Sequence, residues 1–354
     1  MSSFSASNPT QVILPNLFKL CSFRLSFNPH YSKASQESSA WFHTFDILDE
    51  RKREFFTQCE GELLCAYTYA DADYNSFRAC CDLLNVVWTM EELTDEQDEE
   101  QARATGLVLL NSLRDPQYKD DSTFGKMCRE MSDRLWECTD LVRCGHFIQG
   151  CTDYVGAVAA EAGLRANDVL LDMDTYMVMR RANSGVPFCM SVSSFILGGD
   201  LPREVYEEAS FKGMYVAATD MVCVANDLYS FYKEHVGGHR TNNILYVLMK
   251  ENNVNLQEAS DMIGTRFGEL MDSFLENKAK MPSWGEDVDR DIAATIKCME
   301  DWVIGNLQWS FETKRYFGDM RGEVRRTGIV PLSRNVMRGA AHAESSSSQR
   351  LCYL

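Results

Sequence analysis

The sequence is short of proline, of positive charge and of strand-like alternation. Its 354 residues include only 8 prolines, and 35 lysines and arginines stand against 52 aspartates and glutamates, for a net charge of −17. A chain this acidic lacks the basic surface that holds nucleic acid or an anionic membrane, which excludes both as general electrostatic partners. With 45% hydrophobic residues, it has enough apolar side chains for a sizeable core.

Motifs for nucleotide cofactors, secretion and membrane insertion are also absent. There is no GxxxxGK phosphate loop and no GxGxxG after a strand. The start of the chain has neither the basic residues nor the long apolar run of a signal peptide. The most apolar charge-free stretch, residues 182–199, contains a proline and three glycines, which favours a buried helix over a membrane span. We therefore expect a cytoplasmic protein.

The cysteines follow no recognised pattern. There are 13 of them, an odd number, with no C-x2-C pair, which argues against both a disulfide scaffold and a zinc site. Cys138, Cys144, His146 and Cys151 lie close in sequence, but their spacing suits one helix face. We interpret them as core residues rather than metal ligands.

Apolar residues recur every three or four positions through most of the chain, and no repeat of 30–45 residues is visible. The prediction is one all-α domain over residues 1–335 that begins with an irregular segment. Residues 336–354 are small, polar and serine-rich, and they predict a disordered tail.

One predicted helix, over about 75–95, changes character along a single face. Its apolar stripe passes through Leu84 and Trp88 and then reaches Glu91 and Asp95. Acids on a solvated helix belong on the opposite face, and negative charge is unfavourable at a helix C-terminus. Solvation of the helix end is one explanation. Cation binding by Glu91 and Asp95 is the other.

A second predicted helix, over about 206–235, carries Asn226, Ser230 and Glu234 at i, i+4 and i+8. One face therefore presents an amide oxygen, a hydroxyl and a carboxylate. These are hard oxygen ligands of the kind that Mg²⁺ accepts beside water and substrate phosphates. The competing explanation is that these are ordinary polar side chains on the solvent-exposed face of a helix.

Together, these segments resemble the class I terpene synthases, in particular the microbial, fungal-type sesquiterpene synthases. EELTD at 91–95 is similar to the family's aspartate-rich motif, and NDLYSFYKE at 226–234 fits its N-D-x-x-S-x-x-x-E motif in full. RRANSG at 180–185 resembles the segment whose arginine senses diphosphate, and Arg315 with Tyr316 matches the pair that closes on it. The resemblance covers residues 12–320 and implies a single-domain helical bundle around a central active-site cavity.

The resemblance also implies roles for individual residues. Glu91 and Asp95 would bind metal from one side, and Asn226, Ser230 and Glu234 from the other. Arg181 is preferred to Arg180 as the diphosphate sensor, because Gly185 then lies four residues on, at the family's helix break. The implied diphosphate ligands and catalytic groups are Arg181, Lys233, Arg315 and Tyr316, with Trp309, and also Trp88, as aromatic wall residues.

The implied reaction is the ionisation of farnesyl diphosphate, with geranyl diphosphate as the neighbouring option, followed by carbocation cyclisation and release of diphosphate. Metals and arginines stabilise the leaving diphosphate, and aromatic faces stabilise the cation in a dry pocket. The implied cofactor is Mg²⁺, with three ions expected and Mn²⁺ as a substitute. A homodimer would be ordinary for the fold.

One residue departs from the family pattern, because Glu91 stands where aspartate is usual. Glu is one methylene longer, so either activity is lowered or the site is rebuilt around the longer arm. We expect Glu91→Asp to give activity at or above that of the wild type. Two other functions remain open: a prenyl-chain elongating synthase, which would need a second aspartate-rich motif, and a non-catalytic cation-binding helical protein.

Overall fold

The computed structural model describes residues 10–165, 171–237 and 243–332. The helical periodicity of the sequence is realised almost throughout this part of the chain, and the predicted all-α class is confirmed. The elements, in chain order, are β1 (Gln11–Ile13), α1 (Leu17–Leu20), α2 (Tyr31–Phe42), α3 (Glu50–Cys59), α4 (Gly61–Thr68), α5 (Tyr74–Thr94), α6 (Glu99–Arg114), α7 (Thr123–Cys138), α8 (Gly145–Arg165), α9 (Met173–Asn183), α10 (Val186–Ile196), α11 (Arg203–Glu207), α12 (Ala209–Gly237), α13 (Ile244–Asn252), α14 (Leu256–Lys280), α15 (Glu286–Glu312), α16 (Arg321–Thr327) and β2 (Ile329–Pro331). The predicted tail, 336–354, lies outside the described residues.

The helix that carries the first acidic motif, α5, is predicted to within about a residue. The side chain of Asp73 caps its first turn by accepting a hydrogen bond from the backbone of Ser76 at 2.8 Å. Nearly all of its side chains are buried, including Glu91 and Glu92 near its end. Since charged side chains are rarely fully buried without partners, this end of α5 is chemically unusual.

The helix of the second motif, α12, begins three residues later than predicted. The chain is extended at Glu208, which ends the short α11 and separates it from α12. The 29 residues of α12 keep Asn226, Ser230 and Glu234 in register on one face, as the sequence predicts.

Six helices close a ring in the middle of the molecule. Helix α4 packs on α5, α5 on α8, α8 on α10, α10 on α12, α12 on α15, and α15 on α4. In this ring α5 and α12 are separated by two helices in either direction, so they face each other. The remaining long helices pack outside, with α2 and α7 on α5, α6 on α8, and α14 on α12.

The break between α9 and α10 is at Gly185, as predicted. Its φ of 70° is in the left-handed region that glycine tolerates, and Pro187 lies in the first turn of α10. The apolar stretch after the break forms α10, most of whose side chains are buried. Across the described ranges, no helix is both long and apolar enough to cross a membrane.

A two-stranded antiparallel pairing was not predicted. Val12 of β1 lies opposite Val330 of β2, and the backbone of Leu14 donates to the carbonyl of Gly328 at 2.8 Å. Each strand has only three residues, too few to give a readable alternation. The pairing joins the first and last parts of the described chain.

The cysteines of the sequence cluster behave as core residues. Cys144 and Cys151 are buried, and His146 stacks on Tyr206 with ring centroids 4.1 Å apart. No three His, Cys, Asp or Glu side chains come together as a metal site in the part of the chain that the structure describes.

Candidate active site

The oxygen-bearing face of α12 points into the protein. Asn226 and Ser230 are each 3% exposed, and Glu234 is 8% exposed. The side-chain amide of Asn243, just before α13, donates to Oε2 of Glu234 at 3.0 Å and to the backbone carbonyl of Asp227 at 2.7 Å. The predicted second motif is therefore a buried polar stripe rather than surface decoration.

Burial shifts the pKa of the one carboxyl group that this stripe contributes, that of Glu234. It raises the pKa of Glu234 to about 7, and the negative charge of Asp227 acts in the same direction. Hydrogen bonds from Ser230 and Asn243, together with the charge of Arg180, oppose that rise. A further positive charge near Glu234 would favour its ionised form.

Arg180 provides positive charge to this face. Its Nη2 donates to Oδ1 of Asn226 at 2.9 Å, and its Nε donates to Oδ1 of Asp227 at 2.9 Å. The hydroxyl of Tyr176 donates to the other oxygen of Asp227 at 2.5 Å. Arg180 is only 1% exposed, so its charge is balanced by a buried carboxylate.

Arg181, which the sequence favours as the sensor, lies apart from this group. It makes two hydrogen bonds to Asp220, at 2.6 and 2.8 Å, and its side chain is 32% exposed. Successive helical residues point about 100° apart, so only one of the two arginines on α9 can face Asn226. The structure brings Arg180, and not Arg181, to the oxygen-bearing face.

Arg315 and Tyr316, which follow α15, reach both halves of the site. Nδ2 of Asn226 donates to the hydroxyl of Tyr316 at 2.7 Å. The guanidinium of Arg315 lies 5.4 Å from the ring of Trp88, 5.5 Å from that of Trp309 and 5.3 Å from that of Tyr316. These are cation–π distances, and Arg315 is 2% exposed, so the rings hold a largely desolvated cation.

The two predicted wall tryptophans lie side by side. Their ring centroids are 5.9 Å apart, and both side chains are fully buried. The indole nitrogen of Trp309 donates to the backbone carbonyl of Cys59 at 2.8 Å, which fixes the orientation of its ring. Since Trp88 is one turn before Glu91 on α5, these rings connect the first motif to Arg315.

Glu91 is buried, with 5% exposure, and Oε1 accepts a hydrogen bond from the hydroxyl of Tyr154 on α8. Asp95 caps the end of the same helix and is partly exposed. Glu92 forms an ion pair with Lys52, whose Nζ lies 3.9 Å from the Glu92 carboxylate. Most of the following acidic run, from Glu96 on, is exposed and consistent with simple solvation.

Lys233 lies on the side of the site near α3. Its Nζ is 3.6 Å from the ring centroid of Phe55. Burial raises the pKa of the Cys59 thiol, while the positive charges of Arg315 and Lys233 act in the opposite direction. Both cations are therefore close enough to Cys59 to affect its ionisation.

Four residues of this site were not predicted as contributors. Three of them are Tyr154, Tyr176 and Asn243, and the fourth is Asp227, which was noted only as part of a motif. Each acts through a partner at least nine residues away in the chain. No local sequence pattern marks Tyr154, Tyr176 or Asn243 as such partners.

The side chains of α12 fit a divalent cation of the hard type. They offer one carboxylate, one amide oxygen and one hydroxyl, all buried. Mg²⁺ is usually bound by one or two carboxylates and takes its other ligands from water and substrate phosphates. A set with a single acid on α12 thus suits a metal that is shared with an anionic ligand.

Comparison with protein families gives one clear match. The model of terpene synthase family 2, described as C-terminal metal binding, matches residues 82–273. That range contains both motifs and Arg180.

Relatives of known name cover almost the whole chain. The bifunctional terpene synthase Agr4 of Cyclocybe aegerita is 39% identical over 92% of this chain and 94% of its own length. Sesquiterpene synthase 1 of Postia placenta is 31% identical over 93% and 97%. A relative from Coprinopsis cinerea that is 39% identical over 95% and 98% carries a different name, linoleate 10R-lipoxygenase COP4.

Solved structures agree on the fold. The a-eudesmol synthase structure has a TM-score of 0.73 and 18% identity, over 82% of this chain and 97% of that one. The linalool/nerolidol synthase of Streptomyces clavuligerus, in complex with 2-fluorogeranyl diphosphate, gives 0.72 and 18%, over 84% and 99%.

Proposed function

Because this chain belongs to the terpene synthase family and is a sesquiterpene synthase, we propose that it ionises farnesyl diphosphate with the help of Mg²⁺ and cyclises the resulting carbocation. The observation that carries this proposal is the convergence of Arg180 and Tyr316 on Asn226. The proposed metal ligand Asn226 and the two proposed diphosphate donors therefore meet at one buried point of the ring of helices.

Asn226, Ser230 and Glu234 would hold one Mg²⁺ ion, and Glu91 with Asp95 would hold the other two of the three expected. Mn²⁺ is expected to substitute. When bound, such ions would neutralise charge on the leaving diphosphate. The position of α5 and α12 on facing sides of the ring supports ligands from both directions.

We assign the diphosphate-sensing role to Arg180 in place of Arg181. Arg180 is next to the metal ligand Asn226, whereas Arg181 is engaged with Asp220. Arg315 and Lys233 supply further positive charge, and Tyr316 supplies a hydroxyl. Planar guanidinium groups suit a bidentate grip on phosphate oxygens.

Trp88 and Trp309 would stabilise the carbocation and keep water away from it. Their faces already lie against a cation, the guanidinium of Arg315, which supports their capacity to bind positive charge. Ring faces attract cations through their quadrupole, and the attraction grows when both groups are desolvated. The bond that breaks is the allylic C–O bond, whose electron pair leaves with the diphosphate.

Farnesyl diphosphate is the proposed substrate because several relatives carry the name sesquiterpene synthase. Geranyl diphosphate is the second candidate. The test is to incubate the purified chain with Mg²⁺ and each of the C10, C15 and C20 prenyl diphosphates and to analyse the volatile products by gas chromatography with mass spectrometry. Hydrocarbons or alcohols from the C15 substrate are expected, and conversion of the C20 substrate alone would contradict the assignment.

The two alternatives are not favoured. An elongating synthase would carry a second aspartate-rich motif, whereas this chain has Asn226 and Ser230 there. Longer prenyl diphosphates, formed only when isopentenyl diphosphate is added, would support elongation. A cation-binding protein without activity would give no volatile products in the same assay.

The homodimer and the cytoplasmic location stay predictions. Sedimentation of the purified chain would test the first, and imaging of the tagged chain in its own cells the second.

A further inference from the structure

A contact between two helices of the ring involves Glu91, the residue of the first motif that departs from the family pattern. The hydroxyl of Tyr154, in the middle of α8, donates to Oε1 of Glu91, near the end of α5. Tyr154 is 2% exposed and Glu91 is 5% exposed, so the contact is buried. The two residues are 63 positions apart, and the hydrogen bond depends on how α5 packs on α8.

The position of the Tyr154 ring is set by other aromatic rings. It stacks on Phe188 of α10 with centroids 5.9 Å apart and planes 20° apart, and Phe188 stacks on Phe147 at 5.3 Å and 28°. A ring stacked in this way in a close-packed interior cannot move towards a shorter side chain at position 91 without disturbing its neighbours. The hydroxyl is thus a fixed point, and the side chain at position 91 must reach it.

The carboxylate of Glu91 also lies close to α10. Burial is the main reason that the pKa of the Cys189 thiol is raised, and the negative charge of Glu91 adds to it. Cys189 is next to Phe188 in the chain, which agrees with the position of this carboxylate at the Tyr154 hydroxyl beside the aromatic stack.

Side-chain length decides whether the contact can form. An aspartate at 91 would withdraw the carboxylate by about 1.5 Å, one carbon–carbon bond. An O–H···O hydrogen bond extends over only about 2.5–3.0 Å, so the bond to a fixed hydroxyl would be lost. A hydrogen bond from one hydroxyl uses only one of the roughly four lone-pair sites of a carboxylate, so this contact does not by itself prevent the carboxylate from binding a cation.

We propose that Tyr154 is a positioning residue that holds the carboxylate of Glu91 for cation binding, and that it makes glutamate the matched residue at this position. The identity of the cation as Mg²⁺ rests on the proposed function. Residues that orient a metal ligand without touching the metal typically change metal affinity by about ten- to a hundredfold when they are removed. This proposal reverses the expectation that Glu91→Asp preserves or improves the enzyme.

The test is a double-mutant cycle on Mg²⁺ affinity. Mg²⁺ is titrated calorimetrically into the wild type, Tyr154→Phe, Glu91→Asp and the double variant, first alone and then with inorganic diphosphate present. Tyr206→Phe is the matched control, because its hydroxyl also contacts a neighbour, Ser194 at 3.2 Å, away from both motifs. Circular dichroism and thermal unfolding establish that each variant is folded.

We expect each single variant to bind Mg²⁺ about tenfold more weakly than the wild type. The double variant should be no more than about twofold weaker than the weaker single variant, since both changes break the same hydrogen bond. Tyr206→Phe should bind as the wild type does. Affinities that multiply in the double variant, or a Glu91→Asp variant that binds as tightly as the wild type, would overturn the proposal.

Two further outcomes keep this inference separate from the proposed function. If Tyr154→Phe does not fold, Glu91→Asp still tests the proposal, because it leaves the aromatic stack intact and an Mg²⁺ affinity equal to that of the wild type would overturn the proposal. If the wild type binds Mg²⁺ and shows the expected cycle but converts no prenyl diphosphate, the proposed function fails and the role of Tyr154 stands. Equal affinities in an active enzyme would reject the role of Tyr154 alone.

Discussion

The side-chain amide of Asn226 donates a hydrogen bond to the hydroxyl of Tyr316, and the two atoms are 2.7 Å apart. This bond joins the middle of α12 to the segment after α15. The neighbouring Arg315 contacts Trp88 on α5, so the contacts run from one motif helix to the other. A change at either motif can therefore alter the contacts at the opposite side of the ring.

The two adjacent arginines of α9 provide a matched pair of variants. We predict that Arg180→Lys lowers kcat by about a hundredfold, because the lysine keeps the charge but loses the planar group that contacts Asn226 and Asp227 together. Arg181→Lys is predicted to keep kcat within about threefold, since a partly exposed ion pair with Asp220 contributes about 1 kcal/mol or less to stability. Steady-state kinetics with farnesyl diphosphate measures kcat for both variants. A larger loss of kcat in Arg181→Lys than in Arg180→Lys would assign the diphosphate-sensing role to Arg181.

The second motif should be needed for turnover but not for folding. We predict that Asn226→Ala and Glu234→Ala each abolish metal-dependent turnover and leave the far-ultraviolet circular dichroism spectrum largely unchanged. The reason is that a helix of 29 residues does not depend on one side chain. Arg181→Lys, which changes a residue outside the oxygen-bearing face, serves as the control. Retained turnover in both alanine variants would refute the metal assignment.

Trp309 should affect the products more than the fold. We predict that Trp309→Phe keeps turnover and changes the product distribution, because a smaller aromatic face remains beside the cation. Trp309→Leu removes that face and should increase the fraction of linear or hydroxylated products, formed by early loss of a proton or by attack of water. Chromatography of the volatiles is the measurement.

Trp136→Leu on α7 is the control for this pair, since α7 packs outside the ring. An unchanged product pattern in Trp309→Leu, or an equal change in Trp136→Leu, would show that the ring of Trp309 does not meet the carbocation.

The buried carboxyl of Asp301, on α15, should make the free energy of unfolding depend on pH. Burial raises the pKa of Asp301 to about 6, against the opposing effect of Lys297. The folded state therefore holds this proton more tightly than the unfolded state does. Its contribution to the free energy of unfolding is largest below the unfolded pKa near 4, falls as the pH rises towards about 6, and is constant above that.

We predict that Asp301→Asn removes this dependence. Relative to the wild type, the variant should gain on the order of 2–3 kcal/mol in the free energy of unfolding between about pH 4 and pH 7, as measured by urea denaturation. The exposed Asp287, paired with Arg290, gives the control variant Asp287→Asn. A difference between the wild type and Asp301→Asn that does not vary with pH would contradict the prediction.

The parts of the site that were predictable depend on one helix at a time. The positions of Asn226, Ser230 and Glu234 follow from helix geometry alone, and so does the change from apolar residues to Glu91 along α5. Local rules were sufficient for these features. Gly185 was expected as a helix break from the family resemblance, and its φ of 70° lies in the region that glycine tolerates.

The remaining parts depend on how helices pack. The choice between Arg180 and Arg181 is set by the rotation of α9 about its axis against α12, and spacing from Gly185 gave the opposite preference. Tyr154 meets Glu91 only because α8 lies beside α5. The strands β1 and β2 pair across more than 300 residues, and segments of three residues carry no detectable pattern.

The most direct test of the proposed function measures the release of inorganic diphosphate from farnesyl diphosphate by the wild type and by Glu234→Gln, with and without Mg²⁺. Glu234→Gln keeps the size of the side chain and removes its charge, so it isolates the effect of the proposed metal ligand. We predict release by the wild type only when Mg²⁺ is present, and release by Glu234→Gln reduced by about a hundredfold or more. Release by the wild type after removal of all divalent cations, or equal release by both proteins, would contradict the proposed function.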